Sequence, residues 1–368
     1  MYKALHQKKV AVGLSGGVDS SVAAALLLEQ GYNVVGVHMR RFDVPQQGCS
    51  GSEDRQDALR VAKKLNIPFR VVDFRETYQR KIIDRFLLDF KNGLTPNPDI
   101  WCNEIMKFGL FLDYSLRELG VDYIATGHYA RIERDDGSDR LTSVASGVGC
   151  RLLRGTDSSK DQSYFLYRLS QLQLAHSLFP LGDIYKESVR KMAEDYGLPT
   201  AQKPDSVGVC FIGDINMKEY LKKRIGVEMG AVCDVEGNVI GSHDGVQLYT
   251  IGQRHGFEIT EYQGDPLYVV KKDIANNILV VGRGKDSDVC EFEVVDLVGE
   301  EDILHESDKG LSVRVRHLGK IIPCEVSSMK GGLVCRLSTP DRGIASGQHA
   351  VFYLGDLVLG GGIIRRIA

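Results

Sequence analysis

The sequence predicts an α/β protein: an N-terminal doubly wound parallel sheet, followed by a small central β domain and a C-terminal β-barrel. From residue 9 to about residue 127, short apolar strands alternate with amphipathic stretches of helix length, which is typical of parallel βαβ units. Beyond about residue 212, short alternating strands are separated by Gly, Asn and Asp, which is typical of barrels and sandwiches. A chain of 368 residues has room for two or three domains. We place their boundaries at 1–211, 212–284 and 285–368.

The elements of the N-terminal domain follow from this pattern in chain order. Strands are predicted at Val10–Leu14, Asn33–His38, Phe69–Asp73, Tyr123–Thr126 and around Arg151–Arg154. Helices are predicted at Ser20–Gln30, Asp54–Leu65, Tyr78–Asn92, Asn103–Leu119 and Lys186–Tyr196. In a sheet of this kind the ligand lies at the carboxyl ends of the strands.

The β region divides near Gly282-Arg283-Gly284. In the central part, the segments around Val235–Val239 and Val269–Val280 show the alternation of short strands. In the C-terminal part, strands are predicted at Phe292–Val298, Leu311–His317, Ile322–Ser327 and Ala350–Leu354.

Composition narrows the function classes. The chain is 43% hydrophobic and 26% charged, with no apolar run of membrane-spanning length and no N-terminal signal pattern, so we expect a cytoplasmic protein without a membrane partner. Eight cysteines at irregular spacing argue against a disulfide scaffold and direct attention to reactive thiols or a metal site.

An RNA partner would require local basic patches, because the net charge of −3 gives no global attraction to nucleic acid. Arg314 and Arg316 stand two apart in a predicted strand and should therefore share one face. Short basic clusters are usually solvated surface. The candidates are Lys222-Lys223-Arg224, Arg314 with Arg316 and Lys320, and Arg365-Arg366.

The loop Ser15-Gly16-Gly17-Val18-Asp19-Ser20-Ser21 lies between the first strand and the first helix. Two consecutive glycines allow the backbone to approach a polyanion, and the N–H groups of the loop and helix then point at it. It is neither a Walker A motif nor G-x-G-x-x-G. It resembles the PP-loop of ATP pyrophosphatases, which split ATP between the α and β phosphates. We therefore expect ATP, with Mg²⁺ placed by the Asp19 carboxylate.

Two cysteines lie in segments suited to reactivity. Cys102 follows Thr95-Pro96-Asn97-Pro98-Asp99, near the predicted start of a helix, where the helix dipole would favour a thiolate. Cys210 lies between Gly208 and Gly213 at the boundary to the β domains. A lone cysteine is more often a small buried hydrophobe, so the pair needs further support.

Six sequence blocks together resemble the tRNA-specific 2-thiouridylase (MnmA) family. They occur in the family's order and are S-G-G-V-D-S-S, T-P-N-P-D-x-x-C-N with K-F-G, A-T-G-H-Y-A (Ala125–Ala130), K-D-Q-S-Y-F-L (Lys160–Leu166), D-S-x-G-x-C-F-I-G (Asp205–Gly213) and G-Q-R (Gly252–Arg254). The resemblance implies that ATP adenylates the C2 oxygen of the wobble uridine and that sulfur then replaces it, releasing AMP and pyrophosphate.

The resemblance also implies roles for individual residues. Cys210 would carry a persulfide, and Cys102 would liberate the sulfur or form a Cys102–Cys210 disulfide afterwards. From its position three residues before Cys102, on a loop stiffened by Pro96 and Pro98, we expect Asp99 to accept a proton during sulfur attack. ATP would be held by Gly13, Leu14, Ser15, Gly16, Gly17, Val18, Asp19, Ser20, Met39 and Gly127. The flipped base would meet Asn97, Pro98 and Asp99, and the tRNA would meet His128, Lys160, Asp161, Gln162, Arg316, His317 and Gln348.

The implied partners are the anticodon stem-loop of tRNA and a persulfide-carrying relay protein or cysteine desulfurase, with the enzyme acting as a monomer. Several alternatives stay open. His128 could be a buried supporting histidine, and Lys160-Asp161-Gln162 could be a solvated turn. Asp99 replaces the first cysteine of the Cys-x-x-Cys found in related iron–sulfur thiolases, so a metal-free route is favoured over a mixed Asp99, Cys102 and Cys210 cluster. A PP-loop amidotransferase or ligase, and a non-catalytic RNA-binding module, are the other functions considered.

Overall fold

The computed structural model describes residues 8–41, 50–134, 149–205, 217–260, 262, 264–307 and 309–365. Cys210 and Arg366 lie outside the described residues. The chain forms two compact units, the first within Met1–Ile82, Asp99–Asp214 and Asp356–Val358, and the second within Ile83–Pro98, Ile215–Gly355 and Leu359–Ala368. The three domain boundaries proposed from the sequence stay a prediction.

The first unit contains a five-stranded sheet in which every neighbouring pair is parallel. Its order is β3-β2-β1-β4-β7, so the sheet winds in both directions from β1, as predicted. The gap between β1 and β4 is therefore a topological switch point, where loops from both halves meet. The strands of this unit are β1 (Lys9–Gly13), β2 (Asn33–Arg40), β3 (Phe69–Asp73), β4 (Tyr123–Ala125), β5 (Ala130–Arg134), β6 (Cys150–Arg154) and β7 (Ser177–Leu178), with β5 and β6 antiparallel.

The helices up to the second β region are α1 (Val18–Glu29), α2 (Ser50–Lys64), α3 (Arg75–Tyr78), α4 (Asp84–Lys91), α5 (Pro98–Trp101), α6 (Phe111–Glu118), α7 (Gln171–Ala175) and α8 (Lys186–Asp195), and a 3₁₀ turn occupies Ser163–Phe165. Two predicted helices contain π-helical segments, Gln79–Ile83 between α3 and α4 and Cys102–Leu110 between α5 and α6. The second of these helices also begins earlier than predicted, at Pro98, because proline suits the first helical position.

Helix α1 is buried on nearly all sides, which gives the preceding loop a rigid base. One face packs Ala24 and Leu27 against β1 and α2. The opposite face packs Val22 and Leu26 against α8 and Tyr129. Burying a Val or Leu side chain contributes about 1.5–3 kcal/mol, so this helix is held by apolar contacts from both sides.

The second unit contains a small β sheet with the order β10-β9-β8-β12-β11. Only the β8–β12 pair is parallel among the pairs described for it. Its core surrounds the buried ring of Tyr249. The elements are α9 (Met217–Ile225), β8 (Gly230–Cys233), β9 (Val239–His243), β10 (Glu258–Ile259), β11 (Tyr268–Asp273) and β12 (Ile278–Gly282), with 3₁₀ turns at Val246–Leu248 and Gly284–Ser287.

The C-terminal strands close into a six-stranded barrel, which confirms the predicted architecture. The order is β13-β16-β15-β14-β17-β18, and an antiparallel β13–β18 pairing completes the circle. Closure leaves no edge strand exposed. The elements are β13 (Asp288–Val298), α10 (Glu300–His305), β14 (Ser312–Arg314), β15 (Ile322–Met329), β16 (Gly332–Arg342), β17 (His349–Leu354) and β18 (Leu357–Arg365). Strands β16 and β18 are additions to the strands that the sequence predicts.

The prediction that Arg314 and Arg316 share one face of a strand is wrong. Strand β14 ends at Arg314, and the chain turns before Leu318, which has a left-handed φ of 55°. Arg314 is buried with its guanidinium 5.5 Å from the centre of the Tyr353 ring, whereas Arg316 lies beyond the strand. None of the helices in the described ranges combines the length and hydropathy that a bilayer crossing requires.

Candidate active site

The loop between β1 and α1 is organised by its own serines. The Oγ atoms of Ser15 and Ser20 lie 3.1 Å apart, and the backbone N–H of Ser15 donates to Ser20 Oγ at 3.2 Å. Ser20 Oγ in turn donates to the carbonyl of Gly17 at 3.1 Å. Both hydroxyls therefore hold the loop in shape through hydrogen bonds within the loop itself.

The N-terminus of α1 is open to an anion. Gly17 is its N-cap residue, and a glycine has no side chain that could accept from the first N–H groups of this helix. Such groups have no partner inside a helix and carry its positive dipole end. Asp19 lies in the first turn. This arrangement is suited to the phosphates of ATP, as predicted for Gly13, Leu14, Ser15, Gly16, Gly17, Val18, Asp19 and Ser20.

Close backbone packing explains three of the predicted nucleotide residues. A Cβ built on Gly127, which follows β4, would lie 2.7 Å from the carbonyl carbon of Asp19 and 2.8 Å from the nitrogen of Ser20. A Cβ on Gly16, at a φ of +86°, would lie 2.3 Å from the Asp54 carbonyl oxygen. The side chain of Met39 reaches the start of the same loop, with Cε 3.3 Å from a Cβ built on Gly13. The switch point of the sheet thus brings these residues together.

The Asp19 carboxylate is already paired in this structure. Its Oδ1 accepts hydrogen bonds from Tyr129 Oη at 2.8 Å and from Lys186 Nζ at 2.6 Å. Burial and then the Asp19 charge raise the pKa of the Tyr129 hydroxyl, which therefore stays protonated as a donor. Mg²⁺ takes carboxylate oxygens as ligands, so the Asp19 side chain fits its predicted role of holding this ion. Lys186 Nζ would compete with the ion for the same carboxylate.

Asp205 extends this charge cluster. It accepts from Lys160 Nζ at 3.0 Å, lies 3.0 Å from Lys186 Nζ, and pairs with Arg190. Burial alone would raise the pKa of Asp205, but the hydrogen bonds from Lys186 and Lys160 outweigh it and hold the pKa at about 2. Asp205 is therefore anionic at any working pH.

Sequence reasoning assigns no role to Lys186, Tyr129 or Asp205, although the last two lie in the quoted motifs. A signal for Lys186 exists in the chain. Lys186 is the first residue of α8, where a positive charge interacts unfavourably with the helix dipole. A lysine at that position therefore indicates that an acidic partner lies nearby.

Cys102 lies in the second turn of a continuous helix rather than at its start. Its side chain is fully buried, and the π-helical segment Cys102–Leu110 begins at this residue. The sequence places Cys102 at or near the helix N-terminus; the helix begins at Pro98, so Cys102 lies one turn inside it and Asp99 occupies the first turn. Single π-helical turns are frequent at functional sites. Cys210 lies outside the described residues, so its predicted pairing with Cys102 stays a prediction.

The π-helix is held in place by residues from the following segment. Gln173 Nε2 donates to the carbonyls of Phe108 at 2.9 Å and Glu104 at 3.3 Å. Arg168 Nε donates to Glu104 Oε2 at 2.9 Å. Asn103, next to Cys102, is buried and donates through Nδ2 to the Phe165 carbonyl at 3.2 Å.

His128 is buried and neutral. A lysine ammonium can only donate, so Lys107 Nζ donates to His128 Nε2 at 3.2 Å, and Nδ1 carries the proton toward Thr126 Oγ1 at 2.7 Å. Burial and then the Lys107 charge hold the pKa of His128 well below its usual value. His128 follows Gly127 in the chain and orients Lys107 from a buried position, whereas the sequence predicts that it contacts tRNA.

The Lys160-Asp161-Gln162 motif is not a solvated turn throughout. The Asp161 side chain is fully buried, and its Oδ1 accepts from the N–H groups of Gly155 and Ser163, both at 3.1 Å. Gln162 Oε1 accepts from the Tyr129 N–H at 3.0 Å. Only Lys160 is substantially exposed, at 39% of its side chain. Asp161 and Gln162 thus fix the segment that carries Lys160.

The remaining predicted substrate residues belong to the second unit. The loop leading to Asn97 and Pro98 is fastened there, because the Thr95 N–H donates to the Ser346 carbonyl at 2.8 Å. Gly347 next to it has a φ of +91° and a Cβ there would lie 2.9 Å from the Thr95 nitrogen. Gln348 Oε1 accepts from the Ala345 N–H at 2.9 Å and so shapes this contact.

The basic candidates of the second unit are mostly paired with acids. Arg316 donates to Asp341 Oδ2 at 2.5 Å and to the Arg342 carbonyl at 2.7 Å. His317 follows it in the same turn. Lys222, in the last turn of α9, lies 3.0 Å from Asp244 Oδ2, and Arg365 pairs with Glu293.

Known proteins match this chain over nearly all of its length. Three family models match: tRNA methyl transferase HUP domain at residues 8–214, tRNA methyl transferase PRC-barrel domain at 218–283, and aminomethyltransferase beta-barrel domain at 293–364. A relative from Pasteurella multocida, named tRNA-specific 2-thiouridylase MnmA, is 43% identical over 372 residues, which cover 98% of this chain and 93% of the relative.

This chain belongs to the tRNA-specific 2-thiouridylase (MnmA) family. A second relative, from Geobacillus kaustophilus and named tRNA-specific 2-thiouridylase MnmA 2, is 41% identical, and the match covers 100% of this chain and 97% of the relative. A solved 4-thiouridine synthetase–RNA complex with bound ATP covers 60% of this chain and 50% of that chain at 18% identity, and its TM-score of 0.37 is too low to add to the MnmA assignment.

Proposed function

We propose how the residues of this chain carry out ATP-dependent 2-thiolation of tRNA, the activity that membership of the MnmA family assigns to it. The observation that carries the proposal is the uncapped N-terminus of α1 behind the Ser15–Ser21 loop, at the switch point of the parallel sheet. It offers N–H groups to a polyanion, as ATP binding requires. A small-molecule amidotransferase or ligase would need the same loop, but the full-length relatives do not favour it.

The nucleotide is held by the loop from Gly13 to Ser20, with Met39 and Gly127 beside it. Asp19 would hold Mg²⁺, which would supply charge neutralisation for the phosphates. The protein's own contribution is a preformed set of N–H donors, since the Ser15 and Ser20 hydroxyls already fix the loop. Such preorganised donors stabilise developing charge without rearrangement during the reaction.

Activation of the uridine precedes sulfur transfer. The C2 oxygen is a poor leaving group, and adenylation lets it depart as part of AMP. The terminal sulfur of a Cys210 persulfide attacks C2, and the C2–O bond breaks to release AMP. The Cys102 thiolate then attacks the inner sulfur, so that the persulfide S–S bond breaks, the Cys102–Cys210 disulfide forms and the outer sulfur stays on C2. Asp99, in the first turn of the same helix as Cys102, accepts the proton that this exchange releases.

Several residues that the sequence predicts recognise the substrate. Asn97, Pro98 and Asp99 line the pocket for the flipped base, and His128, Lys160, Asp161, Gln162, Arg316, His317 and Gln348 position the anticodon stem-loop. A persulfide-carrying relay protein or a cysteine desulfurase supplies sulfur, and the enzyme works as a cytoplasmic monomer. An iron–sulfur cluster on Asp99, Cys102 and Cys210 is the alternative to the persulfide.

Two cysteine variants test this assignment. Cys210→Ser and Cys102→Ser should both release pyrophosphate when supplied with tRNA and ATP, because adenylation does not need either thiol. Neither should form 2-thiouridine, because a hydroxyl cannot carry or exchange a persulfide. Cys290→Ser is the matched control, since Cys290 is an exposed thiol in β13. Labelled sulfur from a persulfide donor should appear on Cys210 of the unmodified protein. Label confined to other cysteines, or full thiolation by either variant, would contradict the roles of Cys102 and Cys210.

A further inference from the structure

The G-Q-R block of the sequence has no role in the reaction described above. Its residues close a tight turn over residues 250–253, in which the Gln253 N–H donates to the Thr250 carbonyl at 3.1 Å. Gly252 has a left-handed φ of +85°, which glycine adopts without strain at the third position of such a turn. The Gln253 side chain closes the turn a second time, because its Oε1 accepts from the Thr250 N–H at 3.2 Å. We call residues 250–254 the G-Q-R turn.

The G-Q-R turn is fixed on the central sheet and against a loop of the barrel. The Gly252 N–H donates to the Val269 carbonyl of β11 at 2.8 Å. A Cβ built on Gly252 would lie 2.6 Å from the Cα of Gly343, which follows β16. Ile251 and Ala345 are buried in the same apolar core. The turn and this barrel loop are therefore packed directly on each other, backbone against backbone.

Thr95 contacts both the barrel loop and the G-Q-R turn, and all of these residues belong to the second unit. Its N–H donates to the Ser346 carbonyl at 2.8 Å. Its Oγ1 donates to the Oγ1 of Thr250 at 3.4 Å. The backbone of Thr95 is thus fixed by the barrel loop, and its side chain faces the turn that Gln253 closes.

Thr95 directly precedes the residues that we assign to the flipped base. Pro96 and Pro98 flank Asn97, and each proline fixes its own φ and restricts the residue before it. The path of the chain at Thr95 therefore determines where Asn97 lies, because the stiff segment between them has few conformations available. A shift of Thr95 would be passed to Asn97 almost undiminished.

Stability alone does not account for the contact between the two threonines. The apolar core that holds Ile251 and Ala345 already joins the turn to the barrel loop. A neutral hydrogen bond between two hydroxyls adds little to the free energy of unfolding, because both groups bond to water in the unfolded chain. What the contact does supply is a defined position for Thr95.

We propose that the G-Q-R turn positions the base-binding loop for adenylation of the uridine. Gln253 holds the turn, Thr250 fixes the side chain of Thr95, and the two prolines extend that position to Asn97. Gln253 and Thr250 are positioning residues, since they act through Thr95 and not on the base. The inference rests on the proposed function, because it takes Asn97 to be part of the pocket for the flipped base.

The test is single-turnover release of pyrophosphate by the full chain with saturating tRNA and ATP. Thr250→Val and Thr95→Val replace a hydroxyl by a methyl group of similar size, and each should lower the rate constant about 3- to 10-fold. The double variant should be no slower than the slower single variant, because both changes remove the same contact. The affinity for tRNA should stay within about twofold, since phosphate contacts dominate it.

The rate constant separates positioning from stability. A less stable protein has a smaller active fraction, which lowers the amplitude of pyrophosphate release and leaves its rate constant unchanged. Gln253→Met removes both side-chain hydrogen bonds of the turn and should lower the rate constant about 10- to 100-fold through misplacement of the base. The two threonine variants test the proposal independently if Gln253→Met does not fold.

Two further threonine variants serve as controls. Thr250→Ser keeps the hydroxyl and should retain a rate constant within about twofold of the unmodified protein. Thr260→Val is the matched control, since Thr260 Oγ1 donates to the Ile240 carbonyl at 3.3 Å in the same unit. It should change neither the rate constant nor the affinity for tRNA.

Two results would overturn the proposal. One is a set of Thr95, Thr250 and Gln253 variants that lose amplitude but keep the normal rate constant, which would make the turn a structural element only. The other is a double variant whose loss is the product of the two single losses, which would mean that the hydroxyls act independently. Absence of tRNA-dependent pyrophosphate release by the unmodified protein would instead contradict the proposed function itself.

Discussion

Adding a side chain at each of the two adjacent glycines of the phosphate loop should have different effects, a loss of stability at Gly16 and a loss of ATP affinity at Gly17. Gly16 has a φ of +86°, and its Cβ would lie 2.3 Å from the Asp54 carbonyl oxygen. Gly17 has an ordinary φ of −97°, and its Cβ would touch only Ser15 Oγ at 3.4 Å. The fold therefore requires glycine at position 16, whereas at position 17 the ligand requires it.

The cost at each position can be worked from these contacts. Gly16→Ala should lose about 1–2 kcal/mol for the left-handed backbone and about 1–3 kcal/mol for the overlap, together about 2–5 kcal/mol. For a unit of this size that lowers Tm by about 4–20 °C. Gly17→Val should lose about 1 kcal/mol of helix-start preference and melt within about 4 °C of the unmodified protein. Its side chain would stand before the α1 N–H groups, so ATP affinity should fall at least about tenfold.

Thermal melting and ATP titration of both variants provide the assay. Gly120→Ala is the matched control within the first unit, because Gly120 has a φ of +58° with nothing within 4 Å of a built Cβ. It should show the backbone cost alone, a fall of about 2–8 °C. A Gly16→Ala protein that melts no lower than Gly120→Ala, or a Gly17→Val protein with normal ATP affinity, would refute the reasoning.

Three further substitutions probe the rest of the site. Asp99→Asn keeps the size but removes the basic group, so 2-thiouridine formation should fall strongly while tRNA affinity, measured by filter binding, stays near normal; unchanged turnover would leave Asp99 a helix-start residue. Arg316→Ala should lower the slope of log affinity against log salt by about one, whereas an unchanged slope would place the tRNA contact elsewhere. Gln173→Leu removes two donors to the π-helix and should cost about 1–3 kcal/mol in urea unfolding, and a loss below that range would mean that water replaces them.

Local sequence patterns are sufficient to predict the parallel sheet and the phosphate loop. The apolar β1 strand, the paired glycines and the small-residue helix α1 are consecutive, so their order alone predicts a phosphate site at the end of β1. The π-helix at Cys102 cannot be found in this way. Gln173 donates to the Phe108 and Glu104 carbonyls of this segment from more than sixty residues away, and no local pattern specifies these contacts.

The omission of Lys186 from the predicted site has a long-range cause, whereas the outcomes at Arg316 and Asp161 have local causes. Lys186 meets Asp19 across 167 residues, and nothing in the neighbourhood of either residue specifies that contact. Alternation alone assigns Arg316 to a strand, but the left-handed turn at Leu318 removes it from the face of Arg314. Asp161 belongs to a motif expected at the tRNA, yet its Oδ1 is committed to two backbone N–H groups. Its tRNA contact stays a prediction.

The most direct test of the central claim is nucleoside analysis of tRNA after incubation with this protein. The mixture contains unmodified tRNA, ATP, Mg²⁺ and a persulfide donor, and the digest is separated and weighed by mass spectrometry. We predict 2-thiouridine at the wobble position, in amounts that match the AMP and pyrophosphate released. AMP release without any thiolated nucleoside, or thiolation that proceeds without ATP, would contradict the account.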